Sequence, residues 1–312
     1  MDKKLKKISI AIWGIIAISL TIFLIYAIVN DNEESGNFLV FNLRNTKTTV
    51  QKEDNISLDK CENITLDFSS YDVVISSTDD ENLRVVQKSS STLKEEEKFS
   101  FSKYDNTIAI EEGKSKHEFG IFNFGSFNNE IELFIPKKYN KNLEVKTRSG
   151  NIDVKDVMNL DKVNLAQSSG NFNSKESITA NEVNLEASSG NIKAQTLITK
   201  LYKIKTSSGN VDIKTLSGSG EVYASSGNIK IGYREVGEEL KANASSGNIK
   251  LNLPKDISFE FYGQCTSGNI DTDFDINYKN KKGNEATAKI GNEPYKKINV
   301  ETRSGNIEIN QN

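Results

Sequence analysis

The sequence predicts an all-β protein, a β-solenoid (parallel β-helix-like) of ~20-residue coils preceded by one N-terminal transmembrane α-helix. Three observations carry this. A tetrapeptide recurs at near-constant spacing, a period-2 apolar pattern keeps register with it, and one long uncharged apolar stretch lies near the start of the 312-residue chain.

The apolar stretch runs from Ile8 to Val29, 22 residues without a charge. At about 1.5 Å per residue it reaches about 33 Å, enough to cross a hydrocarbon core of about 30 Å. Lys3, Lys4, Lys6 and Lys7 precede it, and Asp31, Glu33 and Glu34 follow. The positive-inside rule then places residues 1–7 as a cytoplasmic tail, 8–29 as the membrane helix and the remainder outside the cell. A cleavable signal peptide is the competing reading. Its apolar core is usually shorter, and Tyr26-Ala27-Ile28-Val29-Asn30 offers no small-residue pair for cleavage. The expectation is a single-pass cell-membrane protein with a linker and first strands at 30–55 and an extracellular solenoid at 56–312.

Ser-Gly-Asn followed by an apolar residue occurs eight times between residues 149 and 307. The glycines are Gly150, Gly170, Gly190, Gly209, Gly227, Gly247, Gly268 and Gly305, spaced 20, 20, 19, 18, 20, 21 and 37 residues apart. The last interval reads as two periods with an insertion. Five residues before the glycine stand mostly aliphatic residues such as Val145, Leu185 and Ile204. Three before it stand mostly small ones such as Thr147, Ala187 and Cys265, and two after it Ile152, Phe172 and their equivalents through Ile307. Lys, Glu, Asp and Asn fill the alternate positions. Such alternation means strands with one buried face, and two strands meeting at a corner in every period make one coil. Gly supplies the positive φ a corner needs. Stacking places Asn151, Asn171, Asn191, Asn210, Asn228, Asn248, Asn269 and Asn306 in a column, where side-chain amides one strand spacing apart form a hydrogen-bonded ladder.

Degenerate coils precede the repeats. Leu66-x-Phe68-x-Ser70-Tyr71-Asp72-Val73-x-Ile75 keeps the register, with Tyr71 at the glycine position. Ile131–Pro136 and Ile249–Pro254 both run apolar–polar into a proline that ends a ladder strand. Asn277–Pro294, inside the long interval, reads as a protruding hairpin or loop. About ten coils at roughly 4.8 Å each give a rod on the order of 50 Å.

Composition narrows the chemistry. One His and two Cys argue against His-based catalysis and Cys/His zinc clusters, and a net charge of −3 gives no reason to invoke nucleic acid. No catalytic, cofactor-binding or metal-ligating residue is assigned. The best local alternative is Asp271-x-Asp273-x-Asp275, which in a strand shares one side and would suit a cation or the acid/base pair of a carbohydrate-active β-helix enzyme. It lacks the glycine of an EF-hand loop, since Ile276 stands there. A solvated strand face is the favoured reading of these residues. Phe119, Phe122, Phe124 and Phe127 form the strongest interaction patch, for a partner or the membrane surface, although such a stretch more often packs down to cover the open end or side of a solenoid. Outward Tyr223 and Tyr262 could stack on sugars. His117 reads as a surface residue, Cys265 as core, and a Cys61–Cys265 disulfide is disfavoured by their separation in sequence.

These residues resemble the bacterial adhesin-like family known as domain-of-unknown-function family 4097, which includes LiaG-like membrane-anchored envelope proteins. The V-x-L-x-x-S-S-G-N-I coils, as in Val183–Ile192, carry the resemblance. So do the strand-Pro segments at Pro136 and Pro254, and the ending Ala288-Lys-Ile-Gly-Asn-Glu-Pro that leads to Ile298–Ile307. It covers roughly residues 60–310 and implies a non-catalytic, membrane-anchored surface solenoid. The expected role is adhesion or envelope scaffolding, through the membrane and either a cell-wall polymer or membrane-protein partners. An accessory role in an envelope-stress system is the alternative.

Overall fold

The computed structural model describes residues 47–114 and 128–312. The expected cytoplasmic tail, the transmembrane helix and the patch at Phe119, Phe122, Phe124 and Phe127, with His117, lie outside the described residues. Among the described residues no helix is long and apolar enough to cross a membrane.

Lys47–Asn312 forms one compact unit of β-structure, with a single 3-10 turn at Glu95–Glu97. Each repeat contributes one layer. A strand enters the Ser-Gly-Asn corner, a second strand leaves it, and the chain bends back at the opposite edge to start the next layer. Phe172–Ser189, Ile192–Ser208, Val211–Ser226 and Ile229–Ser246 each run from one corner to the next. Their parallel registers slip midway, for example between Ser174 and Ser177 and between Ile198 and Leu201. These bulges turn one long strand into two, so entry strands stack on entry strands and exit strands on exit strands.

The alternating residues meet between the two faces in one continuous apolar core from Ile56 to Ile309. All three inward columns are buried, including Val145, Leu185 and Ile204, Ala187 and Cys265, and Ile152 and Ile307. The column of small residues also serves the corner. The Thr206 hydroxyl donates to Gly190 O at 3.2 Å, Thr302 to Gly247 O at 3.0 Å, and Gln167 Nε2 to Gly170 O at 2.8 Å.

The stack is ten layers deep, and its order departs from the chain order at both ends. Tyr71 occupies a corner as expected: Phe68 pairs with Thr147 and Val73 with Ile152. Outside that layer lies one made by Thr107–Glu111 and Asn129–Pro136, which follow it in sequence. At the other end the repeats do not stack sequentially. Lys296–Ser304 pairs with Glu239–Ser246 on one side and with Phe259–Ser267 on the other, so the last repeat is inserted and the order is Gly247, Gly305, Gly268. The reason is the segment expected to protrude. Glu285–Ile290 folds back antiparallel onto Phe259–Ser267, and Asn277–Tyr278 pairs outside it. That hairpin covers the outer edge, leaving only the inner edge for the final strand. Antiparallel strands Ser100–Tyr104, Leu83–Ser89 and Thr49–Ile56 cover the opposite end. At both ends antiparallel strands thereby cover the parallel edge of the stack.

Candidate binding surface

The repeat corner is built by close approach. A Cβ on Gly190, whose φ is +150°, would lie 1.6 Å from the carbonyl oxygen of Gly170 in the layer beneath. Gly150 lacks the positive φ expected of the corner, yet a Cβ there would still sit 2.0 Å from Tyr71 O. Layer spacing, more than backbone conformation, makes glycine obligatory.

The asparagine column forms a ladder of a different kind from the amide–amide ladder expected. Each Oδ1 up to Asn306 accepts the backbone N–H of the asparagine one layer on, and Asn269 ends the column: Asn171 N to Asn151 Oδ1 at 2.9 Å, Asn191 N to Asn171 Oδ1 at 3.0 Å, Asn306 N to Asn248 Oδ1 at 2.8 Å and Asn269 N to Asn306 Oδ1 at 3.0 Å. Side-chain Nδ2 contacts are longer, 3.2–3.4 Å where they occur. Asp72 starts the column, accepting from Asn151 N at 2.7 Å. These residues therefore hold the layers together, and their oxygens are used internally.

What the edge offers to solvent is serine. The residue before each corner glycine, from Ser149 through Ser304, is exposed, and its hydroxyl takes no protein partner among the described residues. One layer to the next, these hydroxyls repeat at about 4.8 Å. Ser168, Ser188, Ser207, Ser225 and Ser245 form a parallel column one residue earlier, bracketed by Arg148 and Arg303.

The other sequence candidates separate. Asp271 lies on the strand Ile270–Thr272, but the chain bends after Thr272 to bury Phe274 edge-on against Phe259, with ring centroids 5.0 Å apart. Asp273 accepts Gln311 N at 3.1 Å, so the three aspartates do not share one strand face. Among the described residues no cluster of His, Cys, Asp or Glu is arranged to hold a metal. Tyr262 lines a hollow of about 590 Å³ with Glu260, Asn277, Lys289, Lys297 and Asn299, and Lys279 Nζ lies 5.4 Å from its ring centre. Tyr223 stands three layers away, its phenol within 3.3 Å of Ser245 Oγ, and hydrogen bonds to Ser245 and Ser225 lower its pKa. Cys61 and Cys265 are free and buried, and desolvation raises both thiol pKa values.

Sequence reasoning missed two features. Tyr202 and Tyr233 meet inside the core, Oη to Oη at 3.0 Å. On the exit face, a groove of about 810 Å³ is lined by Lys175, Lys193, Lys214 and Lys230. Comparing positions three and five after each corner glycine would have exposed the second; nothing in the period marks the first.

A family model described as Toastrack DUF4097 matches residues 61–310, most of the chain. The chain belongs to the Toastrack DUF4097 family. The match takes in all eight Ser-Gly-Asn layers and the Tyr71 layer, so the described stack is the Toastrack domain itself. No curated protein matches the sequence significantly. Similar solved structures include a "putative adhesin" from Bacteroides fragilis, 12% identical, covering 85% of this chain and 97% of that one, with a TM-score of 0.47. A "putative adhesin" from Parabacteroides distasonis is 15% identical over 86% and 98%, with a TM-score of 0.46. A "putative lipid binding protein" from the same species is 17% identical over 86% and 98%, with a TM-score of 0.40.

Proposed function

We propose that this Toastrack protein is a non-catalytic, single-pass, membrane-anchored cell-surface solenoid acting as an adhesin or envelope scaffold. The observation that carries the reading is the serine edge, a straight row of exposed, unpartnered hydroxyls at one-strand spacing. Such a row suits a long hydroxyl-rich polymer, because weak contacts repeated along a rigid template add through effective concentration. The apolar segment Ile8–Val29 supplies the anchor. The 61–310 family match is compatible with this reading.

The test is co-sedimentation of the full chain, held in neutral nanodiscs, with isolated cell walls. Saturable binding that weakens when Ser189, Ser208 and Ser226 are changed to Asp supports the reading. Sedimentation no greater than that of empty nanodiscs, or turnover of wall glycan by the purified protein, would refute it.

A further inference from the structure

On the exit face, the positions three and five residues after the corner carry Asn173 and Lys175 in the Gly170 layer, then Lys193 and Gln195, then Asp212 and Lys214, then Lys230 and Gly232. Lysine therefore alternates between two columns over four successive layers. Strand register confirms the stacking, with Asn173 against Lys193, Lys193 against Asp212 and Asp212 against Lys230. All four lysines are exposed, and among the described residues none forms an ion pair. The layers on either side differ. Lys155 pairs with Asp153 at 3.4 Å, and Lys250 with Glu308 at 2.5 Å.

The four unpaired cations line one groove, in which Asp212 is the only acidic side chain among the described residues. Gly232 opens its floor; a Cβ there would lie 2.4 Å from Lys214 O. Asn252 lines it too, with its Oδ1 buried away from the solvent. We propose that this groove binds a linear polyanion, such as a phosphate polymer, laid along the stacking axis. Staggering puts a cation on every layer, while lysines of one column stay about 10 Å apart. A cleft lined by one sign of charge focuses its field on a ligand inside it. A single phosphate would reach one or two of these lysines; a chain reaches all four. Because they line a concavity, a flat bilayer does not match them. The inference rests on the envelope-polymer reading for its biological setting only.

The probe is fluorescently labelled inorganic polyphosphate, titrated by anisotropy against the full chain in zwitterionic nanodiscs. Binding is expected at low salt, weakening as ionic strength shortens the screening length to about 10 Å near 0.1 M. The variant K175Q/K193Q/K214Q/K230Q should lose at least tenfold in affinity. D212N should tighten binding. K203Q/K205Q, on the entry face and paired with Glu221 and Glu186, should stay within twofold of wild type. All the changed side chains are exposed, so the fold is retained. Equal binding by the quadruple variant, no binding at low salt, or orthophosphate competing as well as polymer per phosphate would overturn the proposal. Failure here with wall binding intact rejects the lysine groove alone; loss of wall binding rejects the broader reading.

Discussion

Gly190→Ala is the sharpest perturbation of the corner. The added methyl would sit 1.6 Å from Gly170 O, less than half a normal carbon–oxygen contact, with φ at +150°. The backbone conformation alone costs an alanine about 1–3 kcal/mol. Relieving the overlap means lifting the layer, which stretches Gly170 N to Ser189 O at 3.1 Å and Asn191 N to Asn171 Oδ1 at 3.0 Å. At about 1 kcal/mol for each net hydrogen bond, the expected loss is about 3–5 kcal/mol. Gly283→Ala is the matched control. Its φ is +67°, but the nearest atoms to a Cβ lie 3.9 Å away, so only the conformational cost of about 1–2 kcal/mol applies. Guanidinium unfolding followed by circular dichroism gives the two losses. Hydrogen exchange then locates the damage, since stacked layers communicate mainly with their neighbours. Raised exchange in the Gly170 to Gly209 layers is expected. A Gly190→Ala loss below about 0.5 kcal/mol, or one no larger than that of Gly283→Ala, would refute layer contact as the reason for glycine.

Three further outcomes follow. Tyr202→Phe and Tyr233→Phe should each cost about 1–3 kcal/mol, because each strands the other's buried hydroxyl, while the double variant should cost less than their sum in a denaturation cycle. Hydrogen bonding to Lys250 and then Asn310 holds the Glu308 carboxyl below its ordinary 4.5, so its small stabilisation is present above pH 4.5 and is lost as pH falls through the lowered folded value. A carboxyl titration by NMR should show that depressed midpoint, and Lys250→Gln should move it up toward the ordinary one. Cys61 and Cys265 should resist alkylation in the native protein and react on unfolding, since both thiols are buried and shifted upward; rapid native labelling of either would contradict its placement.

Much of the architecture was legible because the repeat encodes it twice, in the apolar alternation and in the corner. Val145, Ile152 and their equivalents could be assigned inward positions from period alone, and Tyr71 could be aligned as a corner without its glycine. The order of layers was not legible. Ser246, Ser267 and Ser304 present identical edges, so the pattern cannot tell which neighbours which, and the choice falls to the hairpin that covers Phe259–Ser267. The asparagines were placed correctly, but their bonding was not, because a backbone N–H competes better for Oδ1 than a second amide. The aspartate trio failed through a local event, the burial of Phe274, which ends the strand after Thr272. The lysine zigzag escaped notice because each lysine alone is an ordinary surface residue; only its missing acid partner distinguishes it.

The uninterrupted edge requires the last repeat to be threaded between its two predecessors. Disulfide mapping tests this directly, since a bridge needs Cα atoms within about 7 Å, one strand spacing but not two. Ser246→Cys with Ser304→Cys should crosslink on oxidation, as should Ser304→Cys with Ser267→Cys, while Ser246→Cys with Ser267→Cys should not. Crosslinking of the 246–267 pair, with none between 246 and 304, would contradict the inserted layer and the continuous edge built on it.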